Sequence, residues 1–366
     1  MTAASGSGPS PEPMRVRWRP AAATSIGSFP GESAVETARV VAGELPDFVH
    51  VAELPQRGPG ADMIGRTGGL LSTVSAGLSM ETTPGGWRFA AGLALSRQMR
   101  RAQSYLAEDL DALQEASVDY AGPVKCQVAG PWTFAAAVEL GGGERALKDP
   151  SAVWDIAQAL GESVRVHVDD IRRRMPKASG IVVQFDEPTL PAVLAGRIGT
   201  ASGLSAYRAV DVQHAERVLG HVIDAASAAG AAPGVHCCAT DVPVDLIRRS
   251  GASFVSLDVT LLEHASALDD QLGLAWEQGL GILAGCVPST GPPEGIGARR
   301  ASAPLRAVLH RIGLEESGWL DQVAVTPTCG LAGASPAWAR AALEACRAVG
   351  RVVRDDEAQG GGEDER

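Results

Sequence analysis

The segment GIVVQFDEP, residues 180–188, is apolar on both faces before it ends in two carboxylates and a proline. Four later segments have the same form, in which an apolar run precedes a reactive side chain: APGVHCCA (232–239), ASFVSLDV (252–259), GLGILAGCV (279–287) and QVAVTPTCG (322–330). Continuous apolar runs of this length are typical of strands in a parallel sheet, which helices cover on both faces. We therefore expect a parallel sheet.

Ala-rich amphipathic stretches separate most of these runs and predict helices, the clearest being 152–175, 209–230 and 335–355, the last with Ser335 as its N-cap. Two earlier strands are predicted in DFVHVAEL (47–54) and GPVKCQVAGP (122–131). Seven or eight strand–helix units in roughly 335 residues predict an α/β fold, a single (β/α)8 TIM-type barrel. The chain contains neither the glycine-rich dinucleotide motif nor a P-loop, so a doubly wound sheet has little support.

Composition and charge limit the class of partner. The chain has 366 residues and a net charge of −11 without a basic stripe, so we expect no nucleic acid or anionic membrane partner. No apolar run approaches the ~20 residues that span a bilayer, and the N-terminus does not have the pattern of a signal peptide. We expect a cytoplasmic protein with a disordered tail over 1–20, one barrel over 21–353 and a disordered acidic tail over 354–366.

Reactive side chains follow the apolar runs at their carboxyl ends: Asp186, Glu187, His236, Cys238, Asp258, Cys286 and Cys329. In a TIM barrel, catalytic residues gather at this face. Because strand residues i and i+2 point the same way, His236 and Cys238 share a direction and Cys237 points into the helix layer. Imidazole with thiolate favours zinc. A His-x-Cys pair alone is a weak motif, however, and simple core packing of the cysteines stays an open alternative.

A set of short strings occurs in one order along the chain: TSIGSFP (24–30), GPVKCQVAGPWTF (122–134), VVQFDEPTL (182–190), VHCCAT (235–240), VSLDV (255–259) and VTPTCGL (325–331). Through these strings the chain resembles the catalytic, C-terminal domain of cobalamin-independent methionine synthase. More broadly, it resembles the superfamily that also contains uroporphyrinogen decarboxylase. The resemblance runs from about residue 22 to residue 353, and the length leaves room for one barrel only.

The resemblance implies a zinc-dependent methyltransferase that methylates homocysteine, or a related thiol, to form methionine. It places the zinc ligands at His236, Cys238, Asp258 and Cys329, with Asp258 where the family has glutamate. It places the substrate carboxylate at the turn Ile26-Gly27-Ser28, where Ser28 supplies a hydroxyl, and the substrate amino group at Asp186. Glu53 matches a second such carboxylate loosely. The implied chemistry is activation of the substrate thiol as a zinc-bound thiolate.

The methyl donor is where the chain departs from that family. Members that use methylfolate carry an Asp-x-His string after the strand that corresponds to GLGILAGCV, and here Ala284 and Cys286 stand near those positions. The donor is therefore either methyltetrahydrofolate or a methylated corrinoid, the latter with a corrinoid protein as partner. Cys286 either lies near the site or packs in the core.

Two alternatives belong to other classes of function. The first is a metal-free enzyme of the uroporphyrinogen decarboxylase type, in which Arg57 or Arg66 of LPQRGPGADMIGR (54–66) would bind a substrate carboxylate. The second is a non-catalytic relative that keeps a thiol-binding or corrinoid-binding pocket without turnover. Metal content distinguishes the first alternative from the methyltransferase, and activity with a panel of methyl donors distinguishes the second.

Overall fold

A curved, eight-stranded parallel sheet lies at the centre of the computed structural model, which describes residues 18–92, 94–262, 266–292, 294–313 and 319–360. In chain order the strands are β1 (Ala22–Ala23), β2 (Val49–His50), β3 (Met80–Thr83), β4 (Gly86–Phe89), β5 (Pro123–Ala129), β6 (Val138–Glu139), β7 (Gly180–Asp186), β8 (Ala231–His236), β9 (Phe254–Asp258), β10 (Gly281–Val287) and β11 (Val323–Pro327). The order across the large sheet is β1-β11-β10-β9-β8-β7-β5-β2. This sequential parallel order is that of a TIM-type barrel and confirms the predicted fold class.

Helices surround the sheet and supply the outer half of the core. They are α1 (Ala34–Glu44), α2 (Met63–Val74), α3 (Arg97–Ala116), α4 (Pro131–Ala137), α5 (Pro150–Arg174), α6 (Leu190–Leu194), α7 (Val212–Ala228), α8 (Val244–Arg249), α9 (Ser266–Glu277), α10 (Ala298–Arg311) and α11 (Pro336–Gly360). The predicted cap of the last helix is confirmed, because Ser335 Oγ accepts a hydrogen bond of 3.1 Å from the Trp338 amide.

The two edge strands of the sheet, β1 and β2, are joined just beyond their ends. An isolated parallel bridge links Ser28 to Glu53. The Phe29 amide donates to the Glu53 carbonyl at 2.8 Å, and the Glu53 amide donates to the Gly27 carbonyl at 3.1 Å. The barrel is therefore closed by backbone groups of Gly27, Phe29 and Glu53, which flank or belong to the residues for which the resemblance implies a role in substrate binding.

The amino end of the barrel is filled by an apolar cluster that contains Trp18, Phe48, Phe254 and Leu283. The Trp18 ring stacks on Phe48 with centroids 5.6 Å apart, and its Nε1 donates to the Val323 carbonyl at 3.1 Å. Trp18 lies inside the stretch that we predicted as a disordered tail, so the ordered barrel begins earlier than expected. The sequence alone missed this because one tryptophan in a Pro-rich, Arg-rich stretch has no periodicity.

The carboxyl-terminal boundary also differs from the prediction. Helix α11 extends to Gly360, past the expected boundary at residue 353. The acidic residues at the start of the predicted tail therefore continue the amphipathic helix. Residues 1–17 and 361–366, which carry the rest of the two predicted tails, lie outside the described residues.

A small sheet of β3, β4 and β6 packs beside the barrel and was not predicted. Strands β3 and β4 form a hairpin in which Gly86 has φ +122°, a conformation that favours glycine. The following helix, α3, starts only at Arg97, where Ser96 Oγ accepts a hydrogen bond from the Met99 amide at 3.1 Å.

Within the described ranges, no helix combines the length and apolar character that crossing a bilayer requires.

Candidate metal and thiol site

Three soft donors meet at the carboxyl end of the barrel. Strand β8 ends at His236, Cys238 follows two residues later, and Cys329 lies just beyond β11. Their ligand atoms lie within 4.8 Å of one another, and the two sulfurs are 3.4 Å apart. Two sulfurs bound to one tetrahedral zinc at ~2.3 Å each stand roughly 3.7 Å apart. The donor set and its spacing therefore fit a zinc ion.

The imidazole is held in one orientation by the neighbouring strand. His236 Nδ1 is 3.0 Å from Ser256 Oγ, and Ser256 is the register partner of His236 in the β8–β9 ladder. This contact leaves Nε2 free to serve as a ligand, as outer hydrogen bonds do at metal-binding histidines. Sequence reasoning missed Ser256, although its position two residues before Asp258 places both on one face of the strand.

The two thiols of the cluster are electrostatically unequal. Hydrogen bonds from Cys238 and His236 lower the pKa of Cys329, whereas the bond to Cys329 and burial raise the pKa of Cys238. The Cys329 sulfur is thus the first of the pair to become a thiolate. Cys237, between the ligands in sequence, is fully buried in the main hydrophobic core, and burial raises its pKa to about 12. It packs between sheet and helices in the position that strand alternation predicts.

Asp258, the fourth residue for which the resemblance implies a ligand role, is close to the cluster but turned aside. Among the described residues, the group with mutually close ligand atoms comprises His236, Cys238 and Cys329. Asp258 Oδ1 instead accepts hydrogen bonds from the Thr260 amide at 2.9 Å and from Thr260 Oγ1 at 2.6 Å. Burial raises the pKa of Asp258. Its role as a ligand stays a prediction, and would require release from Thr260.

Ser28 lies directly beside the cysteine cluster. Its hydroxyl packs against Gly330, the residue after Cys329, where an added Cβ would collide with Ser28 Oγ. The Leu331 amide donates to the Ser28 carbonyl at 2.9 Å. The backbone after Cys329 can approach Ser28 this closely because residue 330 has no side chain. A substrate sulfur held at the cluster would therefore lie near the Ser28 turn.

Asp186 and Glu53 form the acidic side of the site. Asp186 is the register partner of His236 in the β7–β8 ladder, and Gln184 Nε2 donates to its Oδ1 at 2.7 Å. Both carboxyl groups are buried, and desolvation raises the pKa of each. Glu53 Oε1 lies 3.6 Å from Arg66 Nε, so this carboxylate already faces a buried cation. A buried carboxylate such as Asp186 favours a cationic ligand, because a cation offsets the cost of ionisation in a buried place. The three residues expected to bind substrate are thus brought to one end of the barrel.

Glu187, the neighbour of Asp186, has a different role. Its carboxylate accepts hydrogen bonds from the Trp132 amide at 2.9 Å, the Thr133 amide at 2.8 Å and Thr133 Oγ1 at 2.8 Å. It therefore caps the amino terminus of α4 and ties this helix to β7. The Asp-Glu-Pro string therefore places one carboxylate beside His236 at the end of the barrel and uses the other to hold α4.

Three other residues singled out in the sequence take structural positions. Cys286 is buried in the main core, which also contains Cys346 of α11, whereas Leu283, three residues earlier on β10, faces the barrel interior. Arg57 and Arg66 are both ion-paired with Asp109 of α3. Their side chains are 5% exposed, and the decarboxylase alternative therefore loses the arginines on which it rested.

Comparison with known proteins gives one family and a set of similar folds. Residues 21–351 match the family described as the catalytic domain of cobalamin-independent synthase. Comparison with curated protein sequences returned no match.

Two solved structures share the fold. A B12-independent methionine synthase from Shewanella sp. W3-18-1, in complex with selenomethionine, is 13% identical and has a TM-score of 0.57; the alignment covers 92% of this chain and 99% of that chain. A methyltransferase from Methanosarcina mazei is 14% identical with a TM-score of 0.50, and the alignment covers 90% and 94% of the two chains. At these identities the likeness establishes the barrel fold.

Proposed function

The chain belongs to the family of cobalamin-independent synthase catalytic domains, and we propose that it is a zinc-dependent methyltransferase. The reaction moves a methyl group onto the sulfur of homocysteine, or of a closely related thiol, and yields methionine in the first case. We place this reaction in the cytoplasm, where reduced thiols persist.

One observation carries the proposal: the cluster of His236, Cys238 and Cys329 lies next to the Ser28 turn at one end of the barrel. The cluster is soft and fits zinc, and zinc prefers a thiolate as an added ligand. Asp186 is the register partner of His236 in the β7–β8 ladder, so a carboxylate for the substrate amino group lies on the strand next to the cluster. An amino acid whose side chain ends in a thiol suits this arrangement.

Zinc at the cluster would lower the pKa of the substrate thiol, which is ~8.5 in water, so that the sulfur is a thiolate near neutral pH. The chain itself orients and binds. Ser256 fixes the ring of His236, Ser28 faces the substrate carboxylate, and Asp186 accepts hydrogen bonds from the substrate ammonium. The sulfur then forms a bond to the methyl carbon while the bond from that carbon to the donor breaks, and the donor keeps the electron pair.

The choice of methyl donor depends on whether its leaving group must be protonated. A methylated pterin leaves as an amine anion, which needs a general acid, whereas a methylated corrinoid leaves without one. Cys286, which stands near the family's proton donor in sequence, is buried in the core between sheet and helices. We propose a donor whose leaving group needs no proton, and a comparison of methyltetrahydrofolate with methylcobalamin tests this choice.

The first experiment measures zinc per chain by elemental analysis in wild type, Cys238→Ser and Cys329→Ser. We expect about one zinc per chain in wild type and loss of most of it in either variant, because one of three protein ligands is removed. Cys346→Ala is the matched control, since this cysteine is buried on α11 away from the cluster. Wild-type protein that neither contains nor takes up zinc would contradict the proposal.

A second experiment separates an enzyme from a binding protein. Zinc-loaded wild type should form methionine from homocysteine with one of the two donors, and Cys329→Ser should lose at least ~100-fold in rate. Zinc and homocysteine binding without turnover, under either donor, would instead identify a non-catalytic thiol-binding relative.

A further inference from the structure

A buried lysine lies inside the barrel below the site, and the chemistry described so far does not use it. Lys125 of β5 is 0% exposed. Its strand neighbours Val124 and Cys126 belong to the main hydrophobic core between the sheet and the helices. Its register partner Val182 belongs to the apolar cluster inside the barrel. The lysine side chain therefore projects into the barrel interior, where a charge is costly unless it is compensated.

The contacts of Lys125 lead to the turn that faces the substrate. Its Nζ donates to the Ile26 carbonyl at 2.7 Å and to Gln127 Oε1 at 3.3 Å. Gln184 Nε2 donates to the same Ile26 carbonyl at 2.9 Å. Both lone pairs of this carbonyl are thus engaged from strands β5 and β7, immediately before Gly27 and Ser28.

Gln127 supports the same turn from below. A Cβ at Gly27 would lie 2.6 Å from Gln127 Cδ, so the backbone of the turn rests directly on that side chain. Gln127 Nε2 in turn donates to the Val51 carbonyl at 2.7 Å. The turn is therefore seated on a polar layer inside the barrel, in which Lys125 carries the charge.

Electrostatics link Lys125 to the acidic side of the site as well. Burial lowers the pKa of Lys125 to about 8, while the nearby Asp186 and Glu53 oppose that shift. Gln184 contacts both the Ile26 carbonyl and Asp186, at 2.9 and 2.7 Å. Gln184 therefore connects the Ile26 turn, which is expected to face the substrate carboxylate, with Asp186, which is expected to face the substrate ammonium.

We propose that Lys125 is a positioning residue, whose ammonium group fixes the Ile26-Gly27-Ser28 turn so that the turn binds the carboxylate of an amino-acid thiol. The inference rests on the proposed function. A charge-assisted bond to a backbone carbonyl sets the turn more firmly than a neutral one. Selectivity for a carboxylate-bearing thiol then depends on a residue that does not touch the substrate.

The test compares three thiols in calorimetric titrations of the zinc-loaded protein: homocysteine, its decarboxylated analogue and its deaminated analogue. In wild type, homocysteine should bind more tightly than either analogue. In Lys125→Met, affinity for homocysteine and for the deaminated analogue should each fall about 10- to 100-fold, the size expected when a charge-assisted bond is lost. Affinity for the decarboxylated analogue should stay within about twofold, since it has no carboxylate for the turn to bind.

Two further variants support the comparison. Lys148→Met removes an exposed lysine charge, with 57% of the side chain in solvent, and should leave all three affinities unchanged. Gly27→Ala displaces the turn without altering charge, because of its collision with Gln127. It should reproduce the carboxylate-selective loss even if Lys125→Met does not fold.

Each outcome has one meaning. If folded Lys125→Met bound homocysteine and the deaminated analogue as tightly as wild type does, or lost affinity equally for all three thiols, the role of Lys125 would be overturned whatever Gly27→Ala shows, while the proposed function would stay intact. Failure of zinc-loaded wild type to bind homocysteine would overturn the proposed function, and the inference with it. Zinc content and melting temperature, measured alongside, confirm that the variants are folded and loaded.

Discussion

The two ends of the barrel differ in chemistry although the same strands build both. At the amino end, Trp18, Phe48 and Phe254 fill the interior with aromatic rings. At the carboxyl end, the same strands and their extensions bring His236, Asp186 and the two cysteines together. Between the two ends lies the polar layer of Lys125, Gln127 and Gln184. The comparison shows an amino end packed as an apolar core and a carboxyl end that gathers reactive side chains, an arrangement that the barrel fold permits.

This division predicts that substitutions at the two ends change different observables. A substitution at the amino end should lower the free energy of unfolding and leave zinc in place. A substitution at the carboxyl end should change binding while the fold stays intact. The three predictions that follow begin with the largest expected effect.

Trp18→Ala should produce the largest loss of stability, about 3–5 kcal/mol, because it leaves a cavity inside the barrel. Trp154→Ala is the matched control, since Trp154 is 39% exposed on α5 and its loss should cost far less. Urea unfolding measures both. If Trp18→Ala lost zinc in proportion to its stability, the two ends would not be independent.

Asp186→Asn should lower affinity for homocysteine roughly 10- to 100-fold, because a charged hydrogen bond to the substrate ammonium is lost. The asparagine keeps the size of the side chain, so zinc content and melting temperature should change little. Asp241→Asn, at an exposed position that pairs with Arg197, is the control for the same substitution. Unchanged affinity in Asp186→Asn would remove Asp186 from the substrate site.

His50 lies between the two ends, as the register partner of Lys125, and should make stability depend on pH. Burial lowers its pKa from 6.5 to about 3, so the folded protein keeps it neutral while the unfolded chain binds a proton. Its contribution is present above the unfolded value and is lost as pH falls toward the folded one. Between about pH 7 and pH 5, wild type should lose about 2 kcal/mol more than His50→Leu does.

Unfolding curves of the two proteins at several pH values measure this difference. His167, whose pKa burial lowers to about 4, is present in both proteins and so cancels. Parallel profiles for wild type and His50→Leu would show that His50 is solvated or paired in the fold, against its buried position.

Much of the carboxyl end could be predicted because the relevant signals are local. Strand alternation predicted that His236 and Cys238 share a direction and that Cys237 packs, and the structure places them so. Asp258 was harder. Its position at a strand end is visible in the sequence, but the hydrogen bonds from Thr260 that turn it aside depend on side-chain geometry. Cys286 was left open because its strand is apolar on both faces, so alternation does not show which face lies inward. In the structure Cys286 shares the outward face of β10 with Ile282 and Ala284.

Local patterns in the sequence were enough to predict the class of fold and the shared direction of His236 and Cys238, because apolar runs, helix periodicity and strand alternation are properties of short segments. Which distant segments come together at one end of the barrel is visible only in the folded protein. Cys329 reaches Cys238, Ser28 meets Gly330, Trp18 fills the amino end, and Lys125 supports the Ile26 carbonyl. These contacts form when the barrel closes and brings its first strand beside its last, and no local pattern in the sequence encodes that closure.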